Sequence, residues 1–330
     1  MQHGLLSSLL LSLSLFWMPQ IALAKEVTAD TVQQWLQDQQ VESKVSELLD
    51  YALRDKTNEL KFSLERLALP QQEVVRHVLL DKLEKNQVIL TPRMALFVES
   101  QIKQTPAYQV VEKGDGYEFT VPAFNYPAIA SRLIKRWKQD QSTLEFILLA
   151  EQGKLDLQTW LSGSTHQVQL RESLLLKELD SLSPEALDRL VNQLVDKPIT
   201  TWLPSSAVVV RFAQVSERPD VYHLLWRMKA DHNSQAELTR LASMGDEQAL
   251  QQVMAAALNP SLKEQAIQAL ASKHPLSQGV KQFLITRMAL PDDAVLVAKE
   301  LSKQGHEGWL QEVLSGGYPV KRHLIAQALK

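Results

Sequence analysis

Apolar residues recur at helical spacing along most of the chain. One such run, with offsets of three and four residues, contains Val41, Val45, Leu48, Leu49 and Ala52. Residues spaced in this way lie on one face of an α-helix. Similar runs follow Pro70, Pro92 and Ser183-Pro184, and proline in the first turn, or serine just before it, marks a helix start. The pattern predicts an all-α chain with short connections between neighbouring helices.

The segment from Tyr108 to Val121 has a different pattern. Two runs rich in β-branched and aromatic residues flank the turn sequence Lys113-Gly114-Asp115-Gly116, which predicts a β-hairpin. A hairpin inserted in a helical scaffold either covers helix ends or carries binding residues.

The stretch from Ala207 to Phe212 is ambiguous from its residues alone. Three successive valines favour a strand, whereas the spacing of Pro204 and Pro219 favours a helix pair. We interpret this stretch as helical because helices surround it.

A repeat is visible near the C-terminus. Pro260, Pro291 and Pro319 are separated by 31 and 28 residues, and the sixth, seventh and tenth residues after each are apolar. Those residues are Ala266, Ile267 and Leu270, then Val297, Ala298 and Leu301, then Ile325, Ala326 and Leu329. The spacing predicts a helix opened by each proline, with room for a second helix per unit.

Residues 244–270 carry a more specific order. Met244-Gly245-Asp246-Glu247-Gln248-Ala249-Leu250 is followed by Asn259-Pro260-Ser261-Leu262-Lys263 and then by Ala269-Leu270. This order resembles the short bacterial HEAT repeat of the phycobilisome-lyase type, in which Gly-Asp opens one helix and an Ala-rich second helix ends in Ala-Leu. The resemblance covers residues 235–330 well and earlier segments loosely. It implies stacked helix pairs, a HEAT-like α-solenoid, used for holding partners.

The resemblance has one departure. A basic residue usually follows the proline, as Lys263 does in the first unit and Lys321 or Arg322 in the third, but Asp292-Asp293 occupies the middle unit.

The N-terminus has the composition of an export signal. Residues 4–16 are rich in Leu and Ser, and Ala22-Leu23-Ala24 precedes Lys25, so we predict a signal peptide cleaved after Ala24 and a periplasmic protein. The apolar run is shorter than the roughly 20 residues that span a bilayer, so no transmembrane segment is expected after cleavage; an uncleaved anchor is the alternative. The chain has no cysteine, which excludes disulfides, thiol catalysis and a lipoprotein anchor.

These patterns predict five regions. They are a signal peptide at 1–24, an N-terminal helical bundle at 25–105, a β-hairpin insertion at 106–122, a middle helical region at 123–200 and HEAT-like repeats at 201–330. Pro198 to Pro204 is the candidate boundary before the last region.

Charge and motifs exclude several functions. The formal net charge is −3 and no run of five like charges occurs, which argues against nucleic-acid binding. Catalytic motifs and phosphate-binding glycine loops are missing from the sequence. Glu73 with His77, and Asp220 with His223, are interpreted as surface ion pairs. We therefore predict no catalytic residue, metal site or cofactor, and a protein that is not an enzyme.

Two sets of residues are candidates for weak partner binding. One is Gln268, Lys299 and Gln327, each the eighth residue after a repeat proline, and the other is the basic cluster Arg132, Lys135 and Arg136 beside Trp137. The leading hypothesis is a non-catalytic scaffold that binds another envelope protein through a solenoid groove. The alternatives are a binder of peptidoglycan or lipopolysaccharide, an enzyme with an unrecognised site, and a homodimer joined through the C-terminal helices.

Overall fold

The computed structural model describes residues 25–114, 116–196 and 202–329. Most of these residues are helical and a small sheet accompanies them, which confirms the predicted mostly α-helical class and the β-hairpin. The predicted signal peptide and residues 198–201 of the predicted boundary lie outside the described residues. The chain forms two compact units, which meet between Gln141 and Ser142 inside a helix.

In its described residues, the first unit contains a three-stranded sheet and six helices, the last of which continues past the division. The elements are β1 (Lys25–Glu26), α1 (Ala29–Leu36), α2 (Gln39–Leu53), α3 (Thr57–Glu65), α4 (Gln71–Lys85), α5 (Pro92–Ile102), β2 (Tyr108–Gly114), β3 (Tyr117–Pro122) and α6 (Tyr126–Glu151). The helix starts follow capping chemistry, since the side chains of Thr28, Asp38 and Thr91 each accept a hydrogen bond from a first-turn amide. Within the unit, α2 packs against α3 and α4.

The sheet has the order β1-β2-β3. β2 and β3 pair antiparallel, with Val110 opposite Val121 and Glu112 opposite Phe119, and β1 pairs parallel with β2. β1 was not predicted because two residues carry no periodicity. Tyr108 fixes the base of the hairpin, since its buried ring lies 5.1 Å from the ring of Trp35.

Glu73 joins the hairpin to α4 from inside the first unit. Its side chain is 2% exposed and accepts hydrogen bonds from the amides of Ala107 (2.6 Å) and Tyr108 (3.4 Å) and from the Tyr126 hydroxyl (3.4 Å). The interpretation of Glu73 and His77 as a surface ion pair is therefore wrong. The carboxylate satisfies backbone donors that would otherwise be buried without an acceptor.

Replacing Glu73 by Ala should destabilise the first unit. Each buried donor left without an acceptor costs about 1–3 kcal/mol, and the Ala107 and Tyr108 amides should exchange hydrogen faster. Chemical denaturation and hydrogen exchange of the peptide containing these amides measure the two effects. Glu73→Gln, which keeps one acceptor oxygen, should lose less, and exposed Glu65→Ala should change stability by no more than about 0.5 kcal/mol. An unchanged exchange rate in Glu73→Ala would refute the anchoring role.

His77 is a half-buried polar residue on α4, the same helix as Glu73. Its ring centroid lies 5.8 Å from that of Phe124, and its Nδ1 is buried without a hydrogen-bond partner among the described residues. Burial lowers the pKa of His77 below its ordinary value, while Asp81 raises it and Lys85 lowers it further. The folded chain therefore keeps this imidazole neutral at a pH where the unfolded chain protonates it.

The stability of the first unit should fall as pH is lowered below about 6.5, the ordinary pKa of histidine. The loss develops between the unfolded pKa and the lower folded pKa, because the unfolded state binds the extra proton there. Denaturation midpoints measured from pH 7.5 downwards should have a shallower slope in His77→Phe, with His223→Phe, an exposed histidine, as the control. Equal slopes in the wild type and both variants would contradict the assignment.

The second unit is helical throughout its described part. After the end of α6 come α7 (Leu157–Trp160), α8 (Thr165–Glu178), a 3-10 turn (Leu179–Ser181), α9 (Pro184–Val195), α10 (Ser206–Ser216), α11 (Pro219–Arg227), α12 (His232–Met244), α13 (Glu247–Ala256), α14 (Lys263–Ala271), α15 (Gln278–Met288), α16 (Pro291–Lys303), α17 (Glu307–Ser315) and α18 (Arg322–Ala328). α10 confirms the helical interpretation of Ala207 to Phe212.

These helices contact one another in two rows. In the even row, α8 packs against α10, α10 against α12, α12 against α14, α14 against α16 and α16 against α18. In the odd row, α9 packs against α11, α11 against α13 and α13 against α15. Helices adjacent in sequence, such as α12 with α13 and α15 with α16, join the rows.

The repeated apolar positions differ in burial among the three repeats that follow Pro260, Pro291 and Pro319. All six positions after Pro260 and Pro291 are buried. Pro291 is the first residue of α16, as predicted, but Pro260 and Pro319 lie three residues before α14 and α18, so the prediction that they open these helices is wrong. In the last unit Ile325 is buried, but Ala326 is exposed and Leu329 is 40% exposed. No described helix follows α18 in the even row to cover them.

Side chains from later segments complete the C-terminal ends of earlier helices. Arg211 donates to the carbonyl of Leu176 (3.2 Å), Lys273 to that of Ala242, His306 Nε2 to that of Ala271 (2.8 Å), and Asn259 to those of Trp226 (2.9 Å) and Met228 (3.2 Å). The last carbonyls of a helix have no partner within it, so these groups supply the missing donors.

Candidate functional site

The even row carries the first set of predicted binding residues. Gln268 lies on α14, Lys299 on α16 and Gln327 on α18, and all three are exposed. Because α14 packs against α16 and α16 against α18, the three positions belong to successive neighbouring helices. Their side chains combine two uncharged amides, which both donate and accept hydrogen bonds, with one ammonium.

Buried Asp293 holds α16 against the two helices before it, α14 and α15. Its side chain is 1% exposed, its Oδ1 lies 2.8 Å from the Lys263 ammonium of α14, and it also pairs with the guanidinium of Arg287 on α15. Two cations therefore compensate one buried carboxylate, as its burial requires. The contact fixes α16, the helix that carries Lys299, relative to α14 and α15.

Asp293→Ala should cost about 3–5 kcal/mol, because it leaves the largely buried Arg287 without its anion. The neighbouring exposed Asp292 offers a matched control, and Asp292→Ala should change stability by no more than about 0.5 kcal/mol. Chemical denaturation of the two variants measures the difference. Equal stabilities would show that the ion pairs contribute nothing to the packing of these helices.

Another buried carboxylate, that of Glu237 on α12, was not predicted from the sequence. It accepts hydrogen bonds from the Tyr222 hydroxyl (2.9 Å), from Gln214 (2.6 Å) and from Arg240 through two nitrogens (2.7 and 2.8 Å). Burial raises the pKa of Tyr222, and Glu237 adds to that rise. Tyr222 therefore stays a neutral donor, and the network joins α10, α11 and α12.

Asp220 pairs with a different residue from the predicted one, His223. Its carboxylate pairs with Arg218 through two hydrogen bonds of 3.1 and 2.5 Å, and this guanidinium lowers the pKa of Asp220. Arg218 in addition reaches Asp188 (2.6 Å) and Asn192 (2.7 Å) on α9. The Arg218 contacts thus connect α9 and α11, a role that the sequence did not predict for this residue.

The basic cluster on α6 is largely engaged in the packing of the first unit. Arg132 forms two hydrogen bonds of 2.7 Å with the Glu84 carboxylate, which lowers the pKa of Glu84. Arg136 reaches the carbonyls of Glu84 and Val88, each at 3.4 Å, at the end of α4. Lys135 is exposed. Of the three predicted residues, two therefore attach α6 to α4, a role that helical spacing alone does not reveal.

A cleft of about 700 Å³ opens in the first unit between the start of α3 and one face of α5. Its charged lining residues are Lys56, Lys61, Arg93, Asp55 and Glu59. The Asp55 carboxylate accepts a hydrogen bond from Thr91, and Leu96 places an exposed apolar side chain in the wall. The mixed charges oppose one another and do not select one class of ligand.

Histidines and acids do not gather into a metal site in the part of the chain that the structure describes, where no three such groups could hold one ion. Two histidines, His274 and His306, stack with their ring centroids 4.3 Å apart. His306 also donates to the Ala271 carbonyl, so the pair belongs to the end of α14. Among residues 25–114, 116–196 and 202–329, no helix combines the length and apolar character needed to cross a membrane.

Comparison with known proteins identifies no relative. No protein-family model matches the chain, and neither the curated proteins nor the solved structures give a significant match. The residues of this chain and their geometry are therefore the basis for its functional interpretation.

Proposed function

We propose that the protein is an exported, non-catalytic scaffold whose second unit is a HEAT-like α-solenoid that binds another envelope protein. The observation that supports this most is the two-row contact pattern of α8 to α18, in which each helix packs mainly against its neighbours in sequence and in its row. Repeating nearest-neighbour packing of this kind produces extended surfaces suited to holding a partner.

The binding surface of this proposal is the exposed strip of Gln268, Lys299 and Gln327 on the even row. Lys299 supplies the positive charge in the middle of the strip, and a glutamine stands on the helix to either side. A partner that fits this order places a carboxylate opposite Lys299 and backbone or side-chain amides opposite the glutamines. The ion pairs of buried Asp293 with Lys263 and Arg287 hold α16, which carries Lys299, against α14 and α15.

Replacing all three strip residues by Ala should weaken partner binding by about tenfold, equivalent to about 1.4 kcal/mol. Affinity capture from an envelope extract, with the purified protein as bait, identifies the partner, and titration with that partner then gives the affinity. The matched control is Lys154→Ala, Gln251→Ala and Gln282→Ala, which removes one exposed lysine and two exposed glutamines elsewhere.

Two results would contradict this function. Equal loss in the strip variant and the control would place binding elsewhere. Retention on peptidoglycan or lipopolysaccharide, with no protein captured reproducibly, would favour an envelope polymer as the ligand.

A further inference from the structure

Strand β3 is an exposed edge of the sheet. It is last in the order β1-β2-β3, and no other described strand pairs with its outer side. Five of its six residues are exposed and only Val121 is half-buried. An edge strand of this kind offers unpaired backbone donors and acceptors to another strand, and proteins usually cover or disrupt such edges.

The hydrogen-bond pattern of the hairpin determines which backbone groups face outward. The Ala123 amide donates to the Tyr108 carbonyl at 2.9 Å, and hydrogen-bonded pairs alternate along an antiparallel ladder. The backbone groups of Tyr117, Phe119 and Val121 therefore face β2. Those of Glu118 and Thr120 face outward, symmetrically on either side of Phe119.

The side chains of β3 alternate in the same symmetrical way. Tyr117, Phe119 and Val121 lie on one face of the sheet, and the rings of Tyr117 and Phe119 have centroids 5.6 Å apart. Tyr117 is 65% exposed and Phe119 39% exposed. Glu118 and Thr120 lie on the opposite face, where Glu118 pairs with Lys113 of β2 at 3.4 Å.

We propose that β3 pairs antiparallel with β3 of a second copy of this chain, on a two-fold axis at Phe119. In this register the outward groups of Glu118 pair with those of Thr120 of the second copy, and the reverse, which gives four backbone hydrogen bonds. The two Phe119 residues form the non-hydrogen-bonded pair on the axis, where side chains approach most closely. Tyr117 lies opposite Val121 of the second copy, so the apolar faces meet.

The charges of β3 favour a copy of itself in this register. Each Glu118 lies between its own Lys113 and Thr120 of the second copy, so no like charges stand directly opposite. An axis at Glu118 would instead oppose two carboxylates. An axis at Thr120 would place Glu118 opposite Pro122, which has no amide hydrogen, and would leave the Glu118 carbonyl unpaired. The interface is therefore isologous, with the same residues contributed by both copies.

The mass of the purified protein in solution, measured by light scattering, tests this pairing. We expect a dimer for the wild type and a monomer for Phe119→Glu, because two carboxylates would meet on the axis. An equimolar mixture of Phe119→Glu and Phe119→Lys should form dimers again, which a merely misfolded variant would not do. Phe62→Glu, at a more exposed phenylalanine on α3, should remain a dimer. A monomeric wild type, or a dimer unaffected by Phe119→Glu, would overturn the proposal.

The absence of cysteine from the chain permits a direct test of the register. In Phe119→Cys the two Cα atoms on the axis would lie about 4.5 Å apart, inside the range of about 4.4–6.8 Å that a disulfide requires. This variant should cross-link on mild oxidation, whereas Thr120→Cys, which faces Glu118 of the second copy, should cross-link much less. Cross-linking at position 120 but not at 119 would overturn the Phe119 axis.

Discussion

The second unit depends on a limit of short helices. Helices such as α14 and α16, with 9 and 13 residues, can neither bury an apolar face alone nor pair their last carbonyl groups. The helix two places further along the chain covers the apolar face, and a side chain on that helix or just after it pairs the carbonyl groups. The buried Ala266, Ile267 and Leu270 of α14 and the His306 contact at its end are parts of the same solution.

The departure from the repeat pattern at Asp292-Asp293 has a physical account in this arrangement. Acidic residues suit the first turn of α16 because the helix N-terminus is positive. Asp293 is buried there, and Lys263, the basic residue that follows the proline of the preceding unit, neutralises it together with Arg287. The repeat units that begin at Pro260 and Pro291 are thus complementary in charge. If the first were replaced by a copy of the second, Lys263 would be lost as a partner of Asp293.

Features encoded within a few residues were predictable. The helix starts at Thr28 and Ser183, the hairpin and most buried faces follow from capping side chains and periodicity. Contacts between residues far apart in the sequence could not be predicted. Burial of Glu73 depends on Ala107 and Tyr108, and the engagement of Arg132 depends on Glu84. A charged residue on a helix has the same local pattern whether it faces solvent or a neighbouring element, so sequence spacing cannot separate the two.

The side chains that donate to the C-terminal carbonyl groups of helices all come from residues later in the chain than those carbonyl groups. Lys273 serves Ala242, His306 serves Ala271 and Arg211 serves Leu176, so the donor is always synthesised after the carbonyl that it satisfies. During translation, the end of each such helix leaves the ribosome before the group that completes it. The ends of α8, α11, α12 and α14 in the nascent second unit consequently stay incomplete until the later segment that carries their donor has emerged.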